Sequence, residues 1–463
     1  MVDKMVPFKS STGRVIAEIP ANILKRSLHQ NQLGMRYLVK GKTKEAIRYF
    51  NKVLRKFPKY YAALNNLALA YFLEGQYQKA ISYAKQALKA DSENVLSMAL
   101  IAESYVALGQ FEEAKSYLEK ALSLVKKYDY PEQYIAKIIE AVVVYGDDKT
   151  AWAVYRYFRE NLKNVTLALL AGGIAATNEK KYKDAVELLQ KIRSKVKFAD
   201  EIIKMIDYAQ KRRLKLPRIG IDVFSSKMLS RNLPVEQLAN DDYLKTKALF
   251  SLFRDDLSMS DKIQNLRFLM LSEDDAVFKF LMGVLTDDKL PDDLKKYILT
   301  ELAANGHISE KDKIKITLDG KTETITGKEI LKEIEIREIN ALINRGLSLK
   351  QSGRIDEAEE LFRKAIEQYP NTPELYVNLA NILRQKKQFD EAEKLFKKSL
   401  EIRDNPISRL NLTALYLQMN RTAEAKDIFS SVKRDDLTEE GLKRMYDYLE
   451  KMIQSKEEQS VES

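Results

Sequence analysis

The sequence contains no cysteine and only two histidines among its 463 residues. Without cysteine the chain can form no disulfide, offer no thiol nucleophile and build no cysteine-ligated zinc site. This absence favours a reducing cytoplasm as the compartment in which the protein works. The histidines, His29 and His307, lie far apart, and neither has a metal-ligand spacing such as HExxH. We therefore expect surface or packing roles for both.

Long apolar runs and the motifs of common enzyme classes are also missing. No run of about 20 apolar residues is present, so we expect no membrane span. The first twenty residues lack the apolar core and cleavage site of a secretion signal. There is no Walker loop, GxSxG or dinucleotide fingerprint, and acidic pairs such as Asp147-Asp148 fit helix N-caps better than catalytic carboxylates. We therefore expect neither an enzyme nor a cofactor.

What the sequence does contain is an internal repeat. Residues recur with a period of 34 at Tyr37, Tyr71 and Tyr105, at Gly41, Gly75 and Gly109, and at Ala46, Ala80 and Ala114. Such a period is typical of a solenoid of helix pairs, in which small residues let two helices approach and an aromatic fills the space beside them. The pattern resembles the tetratricopeptide-repeat family. The resemblance implies a right-handed superhelix whose concave surface binds peptides or serves as a scaffold.

The repeat divides the chain into regions. They are an N-terminal extension (1–26), an N-terminal array of three clear and two degenerate repeats (27–199), a helical middle region (200–332), a C-terminal array (333–437), a capping helix (438–455) and a disordered tail (456–463). The middle region keeps helical spacing without the period and is weakly similar to HEAT-like units. Its segment around Asp319-Gly320 predicts a β-hairpin near 313–326. The expected fold class is all-α, an α-solenoid in two arrays with a small β-hairpin between them.

In this family the first helix of each unit lines the concave face. The corresponding positions on the first helices of the N-terminal array give five candidates for peptide binding: Asn31, Met35, Asn65, Leu69 and Phe72. Asn65 matches a clamp asparagine of the family, but the basic residues of such a clamp are missing here. The apolar candidates would instead suit an amphipathic helix, from a partner or from the protein's own N-terminal segment. The alternative is that they pack between repeats.

The C-terminal array offers amides and a basic residue instead. Its candidates are Asn344, Gln351, Asn378, Arg384, Gln385, Asn411 and Gln418, with Lys350 beside them. The three asparagines recur at one position on successive first helices, and the three glutamines recur at another. A ladder of amides can hydrogen-bond the backbone of an extended peptide, although amides are also tolerated on solvated helix faces.

Charge is distributed unevenly along the chain. The formal charge is about +17 for residues 1–220 and about −6 for residues 221–463, which together make +11. Most of the excess lies in Lys25–Lys59 and in Lys191–Arg218, which ends in KRRLKLPR. Solvated helix faces explain such charges, and an electropositive surface for an acidic protein, a nucleic acid or an anionic lipid is the functional alternative.

Together these features predict a non-enzymatic adaptor that binds proteins or peptides, acidic ones among them, through the concave faces of its arrays. The alternative is a basic nucleic-acid-binding or membrane-associated repeat protein, with Tyr155, Tyr157 and Phe158 as stacking residues. No nucleic-acid-binding motif accompanies the basic residues, which favours protein partners. The sequence leaves the oligomeric state open.

Overall fold

The structure is a computed structural model that describes residues 4–222 and 235–462, without the side chains of Gln237 and 457–462. Residues 223–234, which the sequence assigns to the helical middle region, and the end of the predicted tail at Ser463 lie outside the described residues. The chain forms two compact units, one ending at Ile325 and the other beginning at Thr326.

The first unit begins with an antiparallel hairpin of β1 (Met5–Lys9) and β2 (Val15–Pro20). Helices joined by short turns follow as α1 (Ala21–Val39), α2 (Thr43–Lys56), α3 (Tyr61–Leu73), α4 (Tyr77–Ala90), α5 (Val95–Ala107), α6 (Phe111–Lys127), α7 (Glu132–Tyr145), α8 (Asp148–Tyr157), α9 (Arg159–Leu162), α10 (Thr166–Asn178), α11 (Tyr182–Gln190) and α12 (Lys197–Arg212). The unit continues with α13 (Val235–Ala239), α14 (Asp242–Ser251), α15 (Met259–Met270), α16 (Asp275–Val284), α17 (Asp292–Ala304), β3 (Lys313–Leu318) and β4 (Lys321–Thr326).

The second unit is entirely helical apart from its turns. Its helices are α18 (Gly327–Gln351), α19 (Ile355–Gln368), α20 (Pro373–Gln385), α21 (Phe389–Ile402), α22 (Pro406–Gln418), α23 (Thr422–Ser430) and α24 (Glu440–Glu462). Helix α24 continues through Glu462, so the residues predicted as a disordered tail from 456 are helical as far as the structure describes them. The predicted all-α class, with a β-hairpin between two helical arrays, is confirmed.

In two of the repeats, a glycine of the first helix packs against a phenylalanine of the second. Gly34 on α1 faces the ring of Phe50 on α2, and a Cβ atom at Gly34 would overlap that ring. Gly346 and Phe362 have the same relationship in the second unit. Both phenylalanines are almost completely buried. A larger residue at either glycine would push the two helices apart, which explains why the repeat demands a small residue there.

The N-terminal hairpin is an element that sequence reasoning missed. Phe8 of β1 packs its ring on Phe57 and Tyr60, with centroid distances of 4.8 and 5.4 Å. In the turn of the hairpin, the Ser11 amide donates a hydrogen bond of 2.7 Å to Asp91 Oδ2, between α4 and α5. The hairpin therefore covers the turn after α2. Of the two alternatives for an amphipathic helix in the concave groove, the protein's own N-terminal segment does not fit, because Met5–Lys9 and Val15–Pro20 form strands and Phe8 packs on the turn after α2.

The second hairpin agrees with the prediction near 313–326. Asp319 and Gly320 both have positive φ, as a tight two-residue turn between right-twisted strands requires. Ile314 and Ile316 are buried, and the Thr317 amide donates a 3.0 Å hydrogen bond to the carbonyl of Leu285, just after α16. The hairpin thus packs on neighbouring helices, as expected for a strand pair too small to be stable alone.

No helix in the described ranges, 4–222 and 235–462, is long and apolar enough to cross a membrane.

Candidate functional site

In the second unit, α18, α20, α22 and α24 enclose a groove of about 520 Å³. Its lining residues are Lys350, Asn381, Arg384, Gln385, Ala414, Leu417, Gln418, Tyr448, Leu449 and Met452. Three of the candidates predicted from the sequence, Arg384, Gln385 and Gln418, therefore meet in one groove, together with the neighbouring Lys350.

The repeat explains why these residues meet. Lys350 and Arg384 are 34 residues apart, as are Gln351 and Gln385, so each pair holds the same position on successive first helices. Gln418 follows Gln385 by 33 residues because the last repeat is one residue shorter. Gln351 is exposed at the end of α18 and does not line the groove.

Lys350 and Arg384 give the groove its charge. Both side chains are half-buried, and no acidic side chain in the described part of the chain pairs with either of them. Burial lowers the pKa of Arg384. Burial, together with the nearby positive charge of Arg384, lowers the pKa of Lys350. Both shifts mean that the charged form is poorly solvated here, so an anion bound beside these groups would be stabilised.

The exposed cation Lys386, two residues after Arg384, shows the opposite behaviour. Its Nζ donates hydrogen bonds of 2.7 Å to Asp356 and 2.8 Å to Glu359. These bonds raise the pKa of Lys386. The array therefore supplies carboxylates to a cation outside the groove, and it leaves the two cations inside the groove without one.

The remaining walls combine an unsatisfied acceptor with apolar surface. Asn381 Oδ1 is buried and has no hydrogen-bond partner among the described residues, which is unusual for a buried polar atom. Leu417, Leu449 and Met452 supply apolar surface, and Tyr448 is 62% exposed beside them. Hydrogen-bonding side chains and an apolar wall in a single groove can bind a peptide backbone and one apolar side chain.

The asparagine ladder predicted for the C-terminal array does not form. Asn378 Nδ2 donates a 2.8 Å hydrogen bond to the carbonyl of Glu374, one turn earlier in its own helix. Asn411 is buried and donates in the same way to the carbonyl of Ile407. Asn344 alone is exposed. Two of the three amides are thus occupied by their own helices and present no ladder to a ligand.

The N-terminal candidates mostly hold the array together. Asn31 Oδ1 accepts a 3.0 Å hydrogen bond from Asn66 Nδ2, and Asn65 Oδ1 accepts one of 2.9 Å from Ser97 Oγ. Both bonds join first helices of neighbouring repeats. Phe72 is only 2% exposed. The predictions for Asn65 and Phe72 as groove residues are corrected, because the next repeat covers both side chains.

Met35 and Leu69 are half-buried and contact the core between the first repeats. They keep part of their apolar surface accessible, so they remain candidates for contact with a partner.

Most of the basic side chains in the segment KRRLKLPR form intramolecular ion pairs. Arg212 pairs with Asp287 at 2.5 Å, and its guanidinium lies over the ring of Tyr208. Arg218 pairs with Asp148 at 2.8 Å and also contacts Asp242. These pairs join residues that are far apart in the sequence. The two arginines therefore stabilise the fold and do not form an open cationic face.

The aromatic residues proposed for base stacking are only partly available. Tyr155 is buried and stacks on Trp152, with 5.8 Å between ring centroids. A Cβ atom at Gly172 would lie 2.7 Å from the Tyr155 ring, so the pair Gly172-Gly173 serves close helix packing. Tyr157 is exposed.

Comparison with known families decides the nature of the repeats. A tetratricopeptide-repeat family model matches residues 31–95, and a second one matches residues 71–132, 349–406 and 383–443. The chain contains tetratricopeptide repeats over residues 31–132 and 349–443. No curated protein matches it. Its repeats make it a protein-interaction scaffold in the general sense, and the family is typically non-catalytic.

Solved structures of tetratricopeptide-repeat proteins are similar at low identity. A thermophilic member from Thermus thermophilus is 17% identical, with 39% of this chain and 98% of that one covered and a TM-score of 0.34. The tetratricopeptide-repeat domain of P58(IPK) is 14% identical over 94% of this chain and 99% of that one, with a TM-score of 0.31. PilF of Pseudomonas aeruginosa is 19% identical, with 52% of this chain and 97% of that one covered and a TM-score of 0.32. With such TM-scores, the assignment rests on the family models.

Proposed function

We propose that the C-terminal array binds an acidic peptide segment of a partner protein, with Lys350 and Arg384 as the site for its carboxylate. The observation that carries the proposal is that two half-buried cations in one groove have no acidic partner among the described residues. Removing a charge from water costs free energy that only a nearby opposite charge or hydrogen bond compensates. A peptide carboxylate would supply both, since arginine can bind it through two parallel hydrogen bonds.

The rest of the groove fits the remainder of such a peptide. Gln385 and Gln418 can donate to and accept from its backbone. An apolar peptide side chain next to the carboxylate would pack on Leu417 and Met452. The ligand class is therefore an acidic peptide that also carries an apolar residue.

The test compares labelled peptides that place Asp or Glu beside Leu with peptides that carry Asn or Gln instead. Binding to the full chain is followed by fluorescence anisotropy. The acidic peptides should bind more tightly, and Arg384→Gln should weaken their binding about tenfold or more, because a hydrogen bond to a charged group contributes roughly 1.5–3 kcal/mol. The amide peptides should be little affected by this substitution.

The matched control is Lys398→Gln, which removes an equal charge from an exposed residue of α21 that pairs with Glu401. It should leave the affinity for acidic peptides unchanged. Equal loss in both variants, or no preference for the acidic peptides, would contradict the proposal.

A further inference from the structure

A second cleft, of about 730 Å³, lies in the first unit between the N-terminal half of α1 and the C-terminal end of α2. Buried Ser27 and Val53 lie among its lining residues. Its charged walls are formed by Lys25 and Arg26 on α1 and by Lys52, Arg55 and Lys56 on α2. Among the residues that the structure describes, no acidic side chain lines the cleft.

These five cations have no ion pair within the parts of the chain that the structure covers. The sequence explains why, since residues 21–60 contain eleven lysines and arginines and a single acid, Glu45. Elsewhere in the same unit exposed lysines do find partners, as Lys211 does with Asp207 at 2.7 Å. The cations of this cleft are therefore unpaired among the described residues because almost no acidic residue lies near them in the sequence.

Helix dipoles explain only part of the cluster. Arg55 and Lys56 lie in the last turn of α2, where a positive charge is stabilised by the free carbonyl groups. Lys25 and Arg26 lie near the beginning of α1, which starts at Ala21, and that end of a helix favours negative charge. Lys25 and Arg26 therefore add positive charge beside the cations of α2, although neither the dipole of α1 nor an ion pair with a described residue stabilises them.

We infer that this cleft binds a cluster of phosphate groups, as found in a soluble polyphosphate or in the multiply phosphorylated headgroup of a lipid. Arginine donates bidentate hydrogen bonds to phosphate, and lysine adds a compact charge on a flexible stem. The cleft has the volume of a small-molecule site. Several donors converging on one cavity suit a compact, highly charged anion better than a single carboxylate.

The surroundings argue against two other occupants. A second copy of this surface would bring like charges together, which opposes self-association through it. A nucleic acid needs a track of cations along the protein, and the next basic segment, ending at Arg218, has Arg212 and Arg218 tied into ion pairs. That segment therefore offers fewer free cations to extend such a track.

The experiment titrates the full chain with inorganic tripolyphosphate by calorimetry. In a parallel arm, vesicles that contain phosphatidylinositol 4,5-bisphosphate are compared in flotation with phosphatidylserine vesicles of equal charge. The double variant Arg26→Gln with Arg55→Gln should lower the association constant for tripolyphosphate at least about tenfold, since each charge-assisted contact is worth roughly that factor. Circular dichroism checks that the variant keeps its helical fold.

The matched control is Lys89→Gln with Lys115→Gln, which removes the same charge from exposed residues of α4 and α6. Its association constant should change by less than about twofold, as expected for distant exposed charges. Binding of tripolyphosphate alone identifies a soluble ligand, and preferential flotation with the bisphosphate lipid identifies a headgroup; both support the inference. It is overturned by absence of binding in both arms, or by equal loss in the control. It is also overturned if flotation is equal with phosphatidylserine and tripolyphosphate does not bind, or if generic single-stranded DNA binds tightly at physiological salt and the double variant abolishes that binding.

Discussion

Glu103 on α5 and Lys137 on α7 form an ion pair of 2.7 Å in which the glutamate is completely buried. Glu140 contacts the same ammonium group, so two carboxylates share one cation. Burial, reinforced by the charge of Glu140, raises the pKa of Glu103 to about 7 in spite of the attraction of Lys137. Glu103 lies at a position of α5 that lines the concave face in this family. Its ion pair with Lys137 instead joins two repeats.

This arrangement predicts that the first unit becomes less stable as pH rises from about 4.5 to about 7.5. The folded-state pKa of Glu103 lies above its unfolded value of about 4.3, so the folded state holds a proton that the unfolded state has lost. The free energy of unfolding should fall by on the order of 1–3 kcal/mol across this range. Urea denaturation at several pH values, compared with Glu103→Gln, checks this. The variant should show a flatter pH dependence, and identical slopes would contradict the raised pKa.

Ala80 should tolerate enlargement poorly. It is completely buried between the helices of the second repeat, so Ala80→Leu should overpack the pair and lower the free energy of unfolding by about 1–3 kcal/mol. The neighbouring Lys79 is exposed, and Lys79→Ala should change stability by less than about 0.5 kcal/mol. Urea denaturation of both variants decides the matter. Equal shifts would show that the repeat register is wrong.

Phe8 should hold the N-terminal hairpin in place. Its ring is buried against Phe57, Tyr60 and Tyr61, so Phe8→Ala should detach the hairpin while leaving the helices folded. Hydrogen exchange followed by mass spectrometry should show faster exchange in residues 5–20 and unchanged protection in α3–α6. Val15→Ala, at an exposed position of β2, is the control and should behave like the wild type. Unchanged protection of the hairpin in Phe8→Ala would argue against the anchor.

The second unit should fold without the first. Residues 326–463 contain a continuous core that includes Phe362, Leu383, Phe396 and Leu415, and α24 covers one end of it through Leu449 and Ile453. A fragment of these residues should give a helical circular dichroism spectrum and a cooperative melt. A shorter fragment without α24 should melt earlier, because it exposes part of that core. A coil-like spectrum for the longer fragment would exclude an independent unit.

The period of 34 was sufficient to predict the helix pairs, the packing positions and the phase of the C-terminal groove. A repeat contacts mainly its neighbours, so its structure is encoded in local spacing. For that reason the spacing predicts that Gln385 and Gln418 hold equivalent positions on successive first helices with Arg384 beside them, although Gln351 at the same position does not line the groove. The hairpin at Asp319-Gly320 could be predicted for a similar reason, since a two-residue turn is a local feature.

Tertiary structure alone decided which side chains remain free to bind. Helical spacing gives the face of a residue but does not say whether the next repeat covers that face, as it does at Asn65 and Phe72. Two equally basic segments likewise acquired different roles: Arg212 and Arg218 meet carboxylates more than 20 residues away, whereas the cations around Lys25 meet none that the structure describes. Charge pairing and burial depend on contacts between distant residues, and a linear pattern does not contain those contacts.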